Sequence, residues 1–213
     1  MVTCIQIYTF RNISTSAFPQ HFCRIAALLV KLESPQFMII IPSARLNYTL
    51  MTKEDSELFF QLDQDPQVMR FLNGGKPSTM AEINEIFIPR MERYLNEQKG
   101  WGLWQVNISS SNEYIGWILV RPMHFFSESP EWANVELGWR FFQSSWGQGY
   151  ASEAALHIKN SLTKNNDLKR FSAIAVKDNL GSIAVMKKIG MSYVKTYLHK
   201  DPLFVRHVVY YQF

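Results

Sequence analysis

The chain has 213 residues, 47% of them hydrophobic and 19% charged, with a formal net charge of +4. That length suits one domain, or one domain with a tail, and that apolar content excludes a disordered chain. The positive charge is modest and spread out, so it points to an anionic small ligand rather than a nucleic-acid surface, and no direct nucleic-acid binding is expected. The only cysteines, Cys4 and Cys23, lie near the start. Neither a disulfide framework nor a cysteine-based metal site follows from them, and the scattered His124, His157, His199 and His207 lack metal spacing and read as structural or surface groups. No stretch reaches the roughly 18 apolar residues that a spanning helix requires, so a cytoplasmic protein without membrane contact is expected.

In chain order, residues 1–37 form an N-terminal extension that differs from the rest of the chain. Their periodicity is poor, their first acidic residue is Glu33, and Met38 directly precedes a strand-like run. A misassigned upstream start is the favoured reading, beside a basic targeting-like or poorly ordered extension and a genuine extra element. Residues 38–213 are the expected domain. Arg45 to Met51 reads as a strand. Thr52 with Asp55 caps a helix to about Leu62, Asp65-Pro66 opens a short second helix stopped by Gly74-Gly75, and Thr79 with Glu82 caps a longer one to about Gln98. Trp101–Ile108 and Tyr114–Met123 are strands joined by a polar turn, and Val135–Phe141 is another. A helix from Tyr150 to Leu162, a strand from Phe171 to Val176, a helix from Leu180 to Ile189 stopped by Gly190, and strands Tyr193–His199 and Val205–Tyr211 complete the chain. The class is therefore α/β (α+β): a mixed, mostly antiparallel central sheet flanked by helices, a meander first and a β-α-β crossover second.

The segment Phe142-Gln143-Ser144-Ser145-Trp146-Gly147-Gln148-Gly149-Tyr150 carries the most chemistry. Two glycines one residue apart let backbone N–H groups turn inward, and the adjoining helix adds unpaired N–H groups and the positive end of its dipole. Such a mouth binds phosphate or pyrophosphate, although a bare strand-to-helix turn fits the same letters. A Walker loop is excluded because Tyr150, not Lys, comes after Gly149. A dinucleotide fingerprint fits poorly, with Ser152 where a third Gly or Ala belongs and Lys169 where an acid belongs.

Together, Ala44-Arg45-Leu46, Asp65-Pro66-Gln67-Val68-Met69-Arg70-Phe71-Leu72, Glu136-Leu137-Gly138-Trp139, Trp146-Gly147-Gln148-Gly149-Tyr150-Ala151-Ser152-Glu153-Ala154, Asn179-Leu180-Gly181-Ser182 and Lys188-Ile189-Gly190-Met191 resemble the GNAT superfamily of acetyltransferases. The branch of bacterial ribosomal-protein alanine N-acetyltransferases is the nearest in pattern, over about Met38 to the C-terminus. The resemblance implies a GNAT-like acyl-CoA N-acyltransferase fold, with acetyl-CoA as co-substrate and no metal. It implies that Trp146, Gly147, Gln148, Gly149, Tyr150 and Ala151 surround the pyrophosphate. Arg140, Phe141 and Phe142 at the strand end would pair with the pantetheine arm, with Asn179 and Ser182 near its acyl end. Ser144 stands where the superfamily carries Gln or Arg, which removes a side-chain contact but no backbone donor. Asn179 also reads as a simple helix cap, and Lys187 and Lys188 as phosphate ligands or solvated lysines.

The acceptor is expected to be an amine, on a monomeric or homodimeric enzyme. Deprotonating a lysine-like amine at pH 7 costs about 4.6 kcal/mol, a peptide α-amine only about 1–1.4 kcal/mol. Glu136, on the same strand face as Gly138, is the candidate base, or else a salt-bridged strand carboxylate. Many superfamily members place a tyrosine acid seven residues after the asparagine; here that position is Met186. The missing acid favours an easily deprotonated acceptor, a protein N-terminal α-amine, over a polyamine or aminoglycoside. A catalytically silent acyl-CoA-binding module is the rival reading. The acceptor cleft is expected between the Leu62–Gly75 region and the loop at Asp201-Pro202.

Overall fold

The computed structural model describes residues 37–165, 168 and 170–213. Both cysteines and nearly all of the extension over residues 1–37 lie outside the described residues. Seven strands form one sheet in the order β1-β2-β3-β4-β5-β7-β6. They are β1 (Leu46–Leu50), β2 (Gly102–Ile108), β3 (Tyr114–Met123), β4 (Glu131–Phe141), β5 (Arg170–Ala175), β6 (Ser192–Asp201) and β7 (Phe204–Gln212). Every neighbouring pair is antiparallel except β4 with β5. This is the mixed, mostly antiparallel sheet expected, its one parallel pair created by a helical crossover.

Helices α1 (Ser56–Asp63), α2 (Pro66–Asn73), α3 (Met80–Glu82) and α4 (Ile88–Glu92) precede β2; α5 (Tyr150–Asn165) and α6 (Leu180–Lys188) flank β5. The local signals work as read. Thr52 and Asp55 form a reciprocal capping box, as do Thr79 and Glu82, and Asp65 caps α2 with Pro66 in its first turn. Gly74 closes α2 at φ 84°, a left-handed conformation that glycine adopts without Cβ strain. The third helix departs from expectation. It is interrupted by a π turn over Ile83–Phe87, and its α-helical part stops at Glu92. Pro89 explains the turn, because it has no N–H and its ring collides with the carbonyl four residues back. Beyond Glu92 the chain reverses through an Asn96–Trp101 bridge, with the Asn96 side chain accepting from the Lys99 amide. Strand β4 also begins earlier than read, at Glu131.

The sheet is covered on both faces. Ala154, Ala155, Ile158 and Leu162 of α5, with Met186 of α6, pack on Val135, Leu137, Phe141, Phe171 and Ala173. On the other face Phe59, Leu62, Val68, Ile83, Ile88 and Met91 of the α1–α4 layer meet Leu103 and Trp117. Two apolar layers fix the sheet between them, so the end of β4 and the start of α5 are held rigidly. Replacing the fully buried Ile158 by Ala is expected to lower unfolding stability by about 2–5 kcal/mol in urea titrations, the range for emptying a well-packed core position.

Candidate active site

Strands β4 and β5 pair only over Asn134–Arg170, Val135–Phe171 and Glu136–Ser172. Both continue past that rung, β4 to Phe141 and β5 to Ala175, without pairing further. The strands therefore part, and the backbone of β4 from Leu137 onward presents N–H and C=O groups without a β5 partner. A buried polar knot holds the last rungs. Ser172 Oγ donates to Asn134 Oδ1 at 2.7 Å and lies 2.6 Å from the Tyr210 hydroxyl, and Asn134 Nδ2 donates to that hydroxyl at 3.0 Å.

Beyond Phe141 the chain makes a 3₁₀ turn over Gln143–Ser145 and enters α5. The Trp146 indole N–H donates to the Phe141 carbonyl at 2.9 Å, which folds the loop back on the strand. Gly147 and Gly149 sit at φ 75° and 81°. The Glu153 amide donates to the Gly149 carbonyl. The N–H groups of Tyr150, Ala151 and Ser152, one turn earlier, have no intrahelical acceptor and point out of the helix mouth. A Cβ on Gly149 would lie 3.5 Å from Lys188 Nζ and 3.7 Å from Arg45 Nη2, so two cations border the loop.

Arg45 joins this site from the far end of the sequence. Its amide donates to Glu153 Oε1 at 2.9 Å, its Nε to Glu153 Oε2 at 2.7 Å, and its Nη1 to the Gln148 carbonyl at 3.1 Å. Ser43 Oγ donates to the same carboxylate at 2.7 Å, and the Arg45 guanidinium lies 4.5 Å from the Tyr150 ring centroid. Burial alone would push the Glu153 carboxyl up; the hydrogen bonds from Ser43 and Arg45 outweigh it and hold it below the usual 4.5. These contacts latch β1 to the first turn of α5. The residues present fit an anionic diphosphate: amide donors free of intrahelical bonds, a glycine whose missing Cβ leaves room, and cations on either side. A pocket of about 200 Å³ lined by Ala44, Arg45, Ile108, Ser109, Ser110 and Tyr150 adjoins them.

The opposite face of β3 and β4 carries two ion pairs beneath the α1–α4 layer, and a third joins that layer to β6. Glu136 is 5% exposed and accepts from Arg121 Nε at 2.8 Å, its direct partner across the β3–β4 ladder. Arg140 bonds Asp63 of α1, which also accepts from Ser78 Oγ at 2.7 Å, and Arg90 of α4 bonds Asp201 at the end of β6. Tyr94 lies among them; burial above all, with Glu136 adding, pushes its hydroxyl up to about 12, against the pull of Arg121. Glu136 is thus the salt-bridged strand carboxylate of the second reading, and any role as base must compete with Arg121. Arg206 Nη1 of β7 donates to the Phe71 carbonyl at 2.8 Å, so α2 touches the β6–β7 hairpin.

Among the other sequence candidates, Asn179 caps α6 by accepting from the Ser182 amide at 3.1 Å, so both serve the helix start. Met186 is fully buried in the core. Phe142 packs in the second core, its ring edge-on to Tyr114. Sequence reasoning missed Arg121, Arg90, Asp63 and Tyr94. The one available signal was a charged residue inside an apolar strand, as in Ile118-Leu119-Val120-Arg121.

His199 is 3% exposed, its ring stacked on His124 with centroids 5.7 Å apart. Burial lowers its affinity for a proton below the usual 6.5, although Glu136 and Asp201 oppose this. A group with a depressed folded-state value binds more protons when unfolded, so stability is lost as pH falls through and below 6.5. Thermal unfolding is expected to show a falling Tm from pH 7 to pH 5, and His199→Asn is expected to flatten that limb; an unchanged slope would contradict it.

The family model for the acetyltransferase (GNAT) domain matches residues 45–192. The FsC-acetyl coenzyme A-N(2)-transacetylase of Aspergillus fumigatus is 29% identical over 161 residues, 74% of this chain and 67% of that one. The structure of RimL, a ribosomal L7/L12 α-N-protein acetyltransferase in complex with coenzyme A, superposes at TM-score 0.62 with 15% identity, over 83% of this chain and 97% of that chain. An aminoglycoside acetyltransferase bound to coenzyme A superposes at 0.64 with 15% identity, over 78% and 93%. At these identities the two structures show the fold alone. With the family model spanning most of the described domain, the chain belongs to the GNAT acetyltransferases.

Proposed function

We propose that this protein transfers an acetyl group from acetyl-CoA to a primary amine, and that the amine is a protein N-terminal α-amine. The observation that carries the reading is the mouth of α5, where the Tyr150, Ala151 and Ser152 N–H groups lack intrahelical acceptors and Arg45 and Lys188 stand beside Gly149. Gln148 and Gly149 complete the cradle for the diphosphate. The edge of β4 beyond Glu136, through Arg140 to Phe141, suits the amide-bearing pantetheine arm, because a strand edge pairs with any peptide-like chain, while the Phe142 amide is already bonded to the Ile115 carbonyl. Asn179 and Ser182 lie at the start of α6, where they fix that helix next to the slot. Acetyl-CoA supplies an acyl carbon activated as a thioester.

The residues on the opposite face argue for an undemanding acceptor. Glu136 is held by Arg121, and the position of the usual tyrosine acid is a buried methionine. With base and acid both weak, an amine that loses its proton at little cost near neutrality is the better substrate. The relatives do not decide this, since the RimL structure is of a protein acetyltransferase and the other neighbour is of an aminoglycoside acetyltransferase.

Two measurements test the reading. Gly149→Val forces a β-branched side chain into a left-handed conformation against Lys188 and Arg45, and is expected to weaken coenzyme A binding in calorimetry at least about tenfold. Unchanged affinity would remove the loop from the site. In an acetyl-transfer assay at pH 7, peptides with a free α-amine are expected to exceed matched lysine side-chain amines by roughly 200- to 400-fold in kcat/KM, from free-amine fraction alone. Turnover restricted to aminoglycosides or polyamines would overturn the acceptor, and coenzyme A binding without turnover of any amine would mark a silent module.

A further inference from the structure

Beneath α2, on the sheet face opposite α5, hydrogen-bond donors outnumber acceptors. Trp117 of β3 and Arg140 of β4 are direct partners across the ladder, and the guanidinium carbon lies 4.9 Å from the indole centroid. Among the described residues Trp117 Nε1 and Arg140 Nε are buried without a partner, and so is the Tyr114 hydroxyl on the same strand. The Tyr114 ring packs edge-on to Phe142, two residues beyond Arg140, with centroids 5.6 Å apart. Trp117 is only 8% exposed. Orphaned buried donors are rare because they forfeit their hydrogen bonds to water, and two on facing residues of adjacent strands leave an unmet demand for an acceptor.

Two further details define that oxygen. Arg140 Nη1 bonds Asp63 Oδ1 and otherwise points at Met69 Sδ, 3.8 Å away. A thioether is a weak acceptor on a flexible, unbranched stem, so Met69 is a filler that a better acceptor can displace. Asp63 neutralises Arg140, so the site offers N–H groups without net charge, which suits a neutral carbonyl over a carboxylate. Arg140 lies on the same face of β4 as Glu136 and Gly138, along the segment where β4 has left β5.

We propose that the Trp117 and Arg140 N–H groups, with the Tyr114 hydroxyl, form a subsite for the first peptide carbonyl of the acceptor, next to the amine that is acetylated. This rests on the acetyltransferase reading above and narrows its acceptor to an amine bearing a neutral α-carbonyl. The test measures kcat/KM per unprotonated amine for alaninamide, alanine and isopropylamine, in the full-length protein and in Trp117→Phe, which keeps the aromatic packing and deletes the N–H. The wild type is expected to prefer alaninamide over both. In Trp117→Phe the alaninamide-to-isopropylamine ratio is expected to fall about tenfold, the loss of one hydrogen bond; taking a ratio within each variant cancels any general loss of activity. An independent readout is the ¹⁵N-indole resonance of Trp117, identified by its loss in the variant, which is expected to shift on adding N-acetylalaninamide. An unchanged ratio, or an indole signal unmoved by saturating product, would assign that N–H to a trapped water and overturn the subsite. Equal use of isopropylamine and alaninamide by the wild type would overturn it while leaving acetyl transfer standing. Acetylation of no amine at all would overturn the transferase reading and the subsite with it.

Discussion

Backbone N–H groups at the first turn of a helix have no carbonyl four residues behind them, and here that deficit is placed where a ligand can meet it. Tyr150, Ala151 and Ser152 open α5 directly after two left-handed glycines. Everything around them serves to keep the deficit in one position. The buried side of α5 is anchored by Ala154, Ala155, Ile158 and Leu162, the Trp146 indole ties the loop to Phe141, and the Arg45–Glu153 latch joins β1 to the first helical turn. Because the interior is close-packed, the helix mouth cannot drift away from the end of β4.

The parting of β4 from β5 extends the same logic from charge to shape. A ladder that stops at Glu136–Ser172 leaves a slot with a free backbone edge on one side and the glycine loop at its end. The Ser172–Asn134–Tyr210 knot is fully buried and well bonded at the last rungs, so it sets where pairing ends. On the far face Arg121–Glu136 clamps β3 to β4, Arg140–Asp63 joins β4 to α1, and Arg90–Asp201 joins α4 to the β6–β7 hairpin. Buried pairs of this kind add little net stability, but losing one partner costs about 3–5 kcal/mol, so they specify one arrangement of those elements.

What could be read from sequence was what depends on neighbours in sequence. Thr52 with Asp55, Thr79 with Glu82 and Asp65-Pro66 announce helix starts because the cap lies within one turn of the groups it satisfies. The glycine loop was legible for the same reason, since strand, turn and helix succeed one another without interruption. The long-range partnerships were not. Glu153 and Arg45 are 108 residues apart, and nothing around either names the other. Glu136 looked equally like a base or a paired carboxylate until β3 put Arg121 opposite it. The third helix was read too long because its capping box and apolar spacing outweighed Pro89, whose missing N–H forces the π turn, and because the Asn96–Trp101 reversal involves residues that helix patterns also contain.

The central claim is that the amides at the start of α5 hold the diphosphate of the acyl carrier. Backbone hydrogen exchange resolved to single amides, with and without coenzyme A, tests it most directly. Slowed exchange at Tyr150, Ala151 and Ser152 in the complex, already produced in part by adenosine diphosphate alone, is the result this account expects. Saturation with coenzyme A that leaves those three amides exchanging as in the free protein would contradict it.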